Sequence, residues 1–158
     1  MKKFHIICCI CILGIYFSAC GNSTIEKYNN SFNNTIKSLQ NGKVNLHKLT
    51  DFEWDKMYTF PAYTSKEEIE QILGFESDII IDNMFNEGNT YLLFVKDNTI
   101  VCNIYGSSDS LGYSINFGMY DKYLCIDYSE NCVFSVNNGN DKKNLEYQQN
   151  GQKENVTN

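Results

Sequence analysis

From residue 91 onward the chain is written in short apolar or alternating runs separated by turn residues, and that rhythm restricts it to a sheet-rich fold. Tyr91 to Val95 is nearly all apolar, the composition of a central strand covered on both faces. Lys96-Asp97-Asn98 turns the chain into a second run, Ile100 to Tyr105, and residues 106–110 read as a loop. Tyr113, Ile115, Phe117 and Met119 alternate with Ser114, Asn116, Gly118 and Tyr120, a period of two. Tyr123 to Tyr128 and Cys132 to Val136 predict a last hairpin around Ser129-Glu130-Asn131. Ile79-Ile80-Ile81 predicts an earlier strand, followed by a turn at Glu87-Gly88-Asn89. Short strands joined by short turns predict an antiparallel meander.

Two helical patterns precede the strands. Ile25, Tyr28, Phe32, Ile36 and Leu39 recur at spacings that place them on one stripe of a helix. Ser23-x-x-Glu26 has the form of a capping box, and Asn41-Gly42 is a suitable stop. Further on, Phe52, Trp54 and the run to Phe60 predict an aromatic strand, ended by Pro61 because proline cannot donate to a ladder. Thr64-x-x-Glu67 and Ser65-x-x-Glu68 both fit a capping box. Ile69, Ile72 and Leu73 then give a short apolar face closed by Gly74. The expected fold is α+β, with two helices of the N-terminal half packed on one antiparallel, mostly meander β-sheet.

The first residues belong to a different logic. After Met1-Lys2-Lys3, the stretch from Phe4 to Phe17 is apolar except for His5 and Tyr16. It is shorter than the roughly 20 residues a spanning helix needs, and it has the layout of a secretory signal. Phe17-Ser18-Ala19-Cys20 resembles a bacterial lipobox, with small residues before the cysteine and Phe17 where leucine is usual. The resemblance implies cleavage before Cys20, diacylglyceryl attachment to Cys20, and a location on the extracytoplasmic face of a cell membrane. The expected organisation is a signal peptide over 1–19, a lipidated tether over 20–24, one α+β domain over 25–137, and a polar tail over 138–158. That tail holds too few apolar residues to offset its ordering entropy, so it is expected to be disordered.

Residues 20–158 carry 11 lysines and no arginine against 19 acidic side chains, a net charge of −8. A nucleic-acid partner needs a basic face, so none is expected. Removing the signal would also remove Cys8, Cys9 and Cys11, and lipid would occupy Cys20. Cys102, Cys125 and Cys132 remain, an odd number that permits at most one internal disulfide. Their apolar surroundings suit small buried hydrophobes, with a Cys125–Cys132 bridge across the last hairpin as the other reading.

Residues 49–75 are the most characteristic stretch. A Trp-Asp-Lys strand and a tyrosine lead into a Glu-Glu-Ile helix ending in Leu-Gly. These are Trp54, Asp55, Lys56, Tyr63, Glu67, Glu68, Ile69, Leu73 and Gly74. The pattern is similar to one found in a family of small secreted and lipid-anchored bacterial proteins. That resemblance implies a recurring domain and brings no activity with it.

Catalytic signatures are sparse. Without His5, His47 is the remaining histidine, in a polar stretch expected to be exposed. The cysteines form no CxxC pair, and no glycine-rich phosphate loop or nucleophile elbow is present, so no metal or cofactor is expected. Asp51, Glu53 and Asp55 alternate with Phe52 and Trp54, so they would share one face of a strand. Such a row is either the solvent side of the strand or the start of a carboxylate site for calcium or for glycoside hydrolysis. Trp54, Tyr58, Tyr63, Tyr91, Tyr105, Tyr113, Tyr120, Tyr123 and Tyr128 supply aromatics for a core or for a platform that binds sugars or peptides. The function expected is a membrane-anchored, non-enzymatic binding module with a protein or cell-wall ligand. The alternatives are an accessory lipoprotein of an envelope complex and a carboxylate-dependent envelope hydrolase.

Overall fold

The computed structural model describes residues 18–81, 87–139 and 142–148, with side chains described from Ser23 onward. Among the described residues, three α-helices and eight strands make an α+β fold. The helices are α1 (Ser18–Ser38), α2 (Lys66–Leu73) and a single turn α3 (Ser108–Leu111). The strands are β1 (Gly42–Asn45), β2 (Lys56–Thr59), β3 (Thr90–Lys96), β4 (Thr99–Gly106), β5 (Tyr113–Asn116), β6 (Leu124–Asp127), β7 (Val133–Asn138) and β8 (Lys143–Tyr147).

The strands form two sheets of four, not the single meander that the spacing predicts. One sheet has the order β4-β3-β2-β6 and is antiparallel throughout. The other has the order β1-β7-β8-β5, and its β5–β8 pair is parallel. β3 sits between β4 and β2, and all of it except Lys96 is buried, as its composition demands. Leu92 and Phe94 on one face, with Met57, Cys102, Ile104 and Ile126, meet Phe134, Val136 and Leu145 of the second sheet in the main core. Tyr91, Leu93 and Val95 on the other face pack beneath Ile69 of α2. The β3–β4 hairpin turns on Asp97 and Asn98, both with positive φ, which matches the twist of the flanking strands. A bulge at Phe94/Val95 leaves Val101 without a partner in register. It sends Ile100 to the opposite core from Cys102, although the two are only two residues apart.

α1 packs Phe32 and Ile36 into the main core and lies along β4, the edge of the antiparallel sheet. The Asn29 Oδ1 accepts the backbone N–H of Asn103 at 2.9 Å, and the Asn33 Oδ1 accepts the Tyr113 hydroxyl at 2.6 Å. A helix side chain thus occupies an edge donor that would otherwise be open to pairing.

Several expectations need correction. α1 begins at Ser18, so residues 20–24 are helical and Ser23 and Glu26 lie inside the helix, where they cannot cap it. Gly42 opens β1 instead of closing α1. β2 covers only Lys56–Thr59, and Phe52 and Trp54 enter the core from a bend. Ile79–Ile81 is a turn whose apolar side chains cap the smaller core. β5 stops at Asn116. β6 and β7 are not a hairpin: β6 pairs with β2 and β7 with β1 and β8, in different sheets. The Cys125–Cys132 bridge therefore has no hairpin to span, and Cys102, Cys125 and Cys132 are free thiols. Within the expected disordered tail, residues 143–147 are β8, an inner strand with Leu145 fully buried. Of the signal peptide expected over 1–19, residues 1–17 lie outside the described residues, as do the end of the chain from residue 149 and the side chain of Cys20. Among the described residues no helix is long and apolar enough to cross a membrane.

Candidate binding cleft

The connection from β2 to α2 is fixed at both ends. Phe60 is buried and its ring lies parallel to that of Tyr58, 6.2 Å away. At the other end Ser65 caps α2: its Oγ accepts the Glu68 amide at 3.2 Å, and the Glu68 Oε2 accepts the Ser65 amide at 2.9 Å. Of the two capping boxes in the sequence, Ser65–Glu68 is the one that forms. Between these anchors Pro61–Thr64 make a tight turn, closed by the Thr64 hydroxyl donating to the Pro61 carbonyl at 2.9 Å. The turn drives Tyr63 into the left-handed region at φ +71° and leaves its side chain 60% exposed. A non-glycine residue there costs about 1–2 kcal/mol.

The Phe117–Tyr123 segment lies opposite. Tyr120 shares a hydrogen bond with Thr59 at 3.4 Å, and the Tyr123 ring lies 6.3 Å from Tyr58 and 6.4 Å from Phe60. Between the two segments is an open cleft of about 430 Å³. It is lined by the Pro61–Thr64 turn, by Glu68, Gln71 and Ile72 of α2, and by Lys122. Burial pushes the Tyr58 hydroxyl up to about 12, with the neighbouring Cys125 thiol adding to the effect, so this phenol is neutral at ordinary pH.

Of the nine aromatics expected as core or platform, Trp54, Tyr58, Tyr91 and Tyr113 are buried, and Tyr105 and Tyr120 are half-buried. Tyr63, which lines the cleft, and Tyr123, which packs on Tyr58 and Phe60, are exposed. Tyr128 is also exposed, but it stacks on His47 with ring centroids 4.3 Å apart. His47 is itself half-buried against Trp54 and Tyr128, with its Nε2 enclosed and unpartnered, which corrects the expectation of an exposed histidine.

The carboxylate row is not on a strand. Asp51 and Glu53 are exposed, and the side chains of Phe52 and Trp54 alternate inward as expected. Asp55 is committed elsewhere: Lys96 Nζ donates to Oδ1 at 2.7 Å and the Asp97 amide to Oδ2 at 2.9 Å. These two donors hold its carboxyl below the usual range. Among the described residues, no group of three or more His, Cys, Asp or Glu could hold a metal ion.

The motif of residues 54–74 thus divides by role. Trp54 and Ile69 are core, Asp55 braces the β3–β4 turn, Glu68 completes a cap, and Gly74 ends α2 at φ +80°. Tyr63 has none of these jobs, and it lines the cleft. Gln71 and Lys122 complete the cleft, and nothing in their sequence context marks them. Comparison with protein-family models, curated proteins and solved structures gives no match.

Proposed function

We propose that this chain is a lipid-anchored binding module of the bacterial cell envelope, tethered through Cys20 on the extracytoplasmic face, with the Tyr63 cleft as its ligand-contacting surface. The observation that carries the binding reading is Tyr63 itself. A large aromatic side chain is held exposed on a strained backbone, beside a cleft that mixes apolar and hydrogen-bonding groups. Strain of that kind persists where the surroundings over-determine it, and it clusters at sites of function. The pairing of Asp55 with Lys96 weighs against the carboxylate-hydrolase alternative, because it occupies one member of the row that such chemistry needs. The lipobox-like Phe17-Ser18-Ala19-Cys20 supports a lipid anchor, for which two acyl chains suffice where one is marginal.

The anchor is tested by intact mass of the protein extracted from bacterial membranes in detergent. A mass for residues 20–158 plus a diacylglyceryl group is expected, and a mass retaining residues 1–19 overturns the anchor. The cleft is tested on the same extracted protein by amide-shift mapping with short peptides and oligosaccharides. Shifts confined to residues 61–72 and 117–123 support it. Saturable shifts only elsewhere, or none, overturn it.

A further inference from the structure

We propose that the cleft takes a cationic polypeptide segment, a lysine- or arginine-bearing stretch laid along α2. The inference rests on the Tyr63 cleft being a ligand site and adds the chemistry of the ligand. The cleft does not end at Gln71. That side chain also lines a second hollow with Glu67, Gly74, Phe75 and Glu76, which continues past Ser77 to Asp78. Glu67 and Gln71 are one helical turn apart, so they share a face of α2, about 6 Å between Cβ atoms. The result is one track with an aromatic end at Tyr63 and an acidic end at Glu76.

Charge decides what fits that track. Five carboxylates line it (Glu67, Glu68, Glu70, Glu76 and Asp78) against two ammonium groups, Lys66 and Lys122. Lys66 is already engaged by Glu70 at 3.7 Å and Asp78 at 3.8 Å. Glu68 and Glu70 also accept backbone amides, from Ser65 and Ser77. Glu67 and Glu76 are exposed and have no cationic partner among the described residues. An acidic partner would meet like charge in the hollows beyond Gln71, where four of the five carboxylates lie. A neutral sugar could stack on Tyr63 but would leave both free carboxylates unanswered. A segment bearing lysine or arginine answers both ends through different side chains, a methylene stem against Tyr63 and Ile72 at one and an ammonium or guanidinium head at Glu67 or Glu76 at the other. A polypeptide suits the length. The eight residues of α2 rise about 12 Å, which three to four extended residues span.

The test uses the detergent-extracted full protein, isotope-labelled, titrated separately with a tetralysine peptide, a tetraglutamate peptide and a neutral chito-oligosaccharide. Tetralysine is expected to shift amides of residues 61–76 and 120–123 saturably, and to bind more weakly as salt rises. Glu67→Gln and Glu76→Gln should each weaken it roughly two- to fivefold, the range of exposed charge pairs, and Tyr63→Ala by a similar factor. If the neutral sugar or tetraglutamate shifts those amides and tetralysine does not, the cationic inference fails while the cleft stands as a binding site. If none of the three shifts them, both fail. Unchanged affinity in both glutamine variants also overturns the inference, and these exposed positions keep the test informative should Tyr63→Ala fold poorly.

Discussion

Leu145→Ala should destabilise the whole domain, although residue 145 lies in a stretch whose composition reads as a tail. Leu145 is fully buried in β8. In register it faces Val136 of β7 on one side and Ile115 of β5 on the other, and its side chain enters the main core. The substitution removes three carbons at about 0.8 kcal/mol each and leaves a cavity that inner strands cannot collapse, for a total of about 3–4 kcal/mol. Against a typical stability of about 5–15 kcal/mol that is a large fraction, equivalent to a fall in Tm of roughly 10–15 °C. The assay is urea unfolding followed by Trp54 fluorescence, with the midpoint shifted and the m-value unchanged. Glu146→Ala is the control, because Glu146 is exposed on the same strand and should change stability by no more than about 0.5 kcal/mol. If Leu145→Ala and Glu146→Ala prove indistinguishable, β8 does not hold the sheet and the argument is refuted.

Asp55→Asn should flatten the acid limb of stability. The Asp55 carboxyl is depressed in the folded state by Lys96 and the Asp97 amide, so its contribution is full above the unfolded value near pH 4 and is lost as pH falls through the lower folded value. Thermal unfolding of both proteins across that window is the check, and parallel curves would refute the role. Asn98→Gly should stabilise by about 0.5–1 kcal/mol, because residue 98 sits at φ +56° in a two-residue hairpin where glycine carries no Cβ penalty. A lower Tm would contradict that geometry. In native protein at pH 8, iodoacetamide should leave Cys102 and Cys132 unmodified, since both are buried and burial pushes the Cys132 thiol up to about 12 and that of Cys102 higher still. Peptide mass mapping reads this, with full labelling expected in denaturant. Rapid native labelling of Cys102 would show that the core is open.

The sequence by itself determined only some of the elements whose signals are local. The Ser65–Glu68 box, the αL stop at Gly74, the stripe Tyr28–Phe32–Ile36 and the doubly buried β3 depend on neighbours within a few residues, and each formed as its pattern demands. A period of two also told which side chains of a strand go inward. It could not tell which strand lies alongside, because pairing is a long-range contact chosen by competition among edges. β6 and β7 are adjacent in sequence yet serve different sheets, and the bulge at Phe94/Val95 reverses the face of Ile100. β8 has only Leu145 and Tyr147 to bury, too little to order a segment alone, and gains its order from ladders on both sides. The cleft divides the same way. Tyr63 was legible as an aromatic in a characteristic motif. Its exposure, its positive φ and its meeting with Lys122 across the cleft came only when β2, α2 and the Phe117–Tyr123 segment converged, because a site built from distant segments exists only once the chain has closed the loops between them.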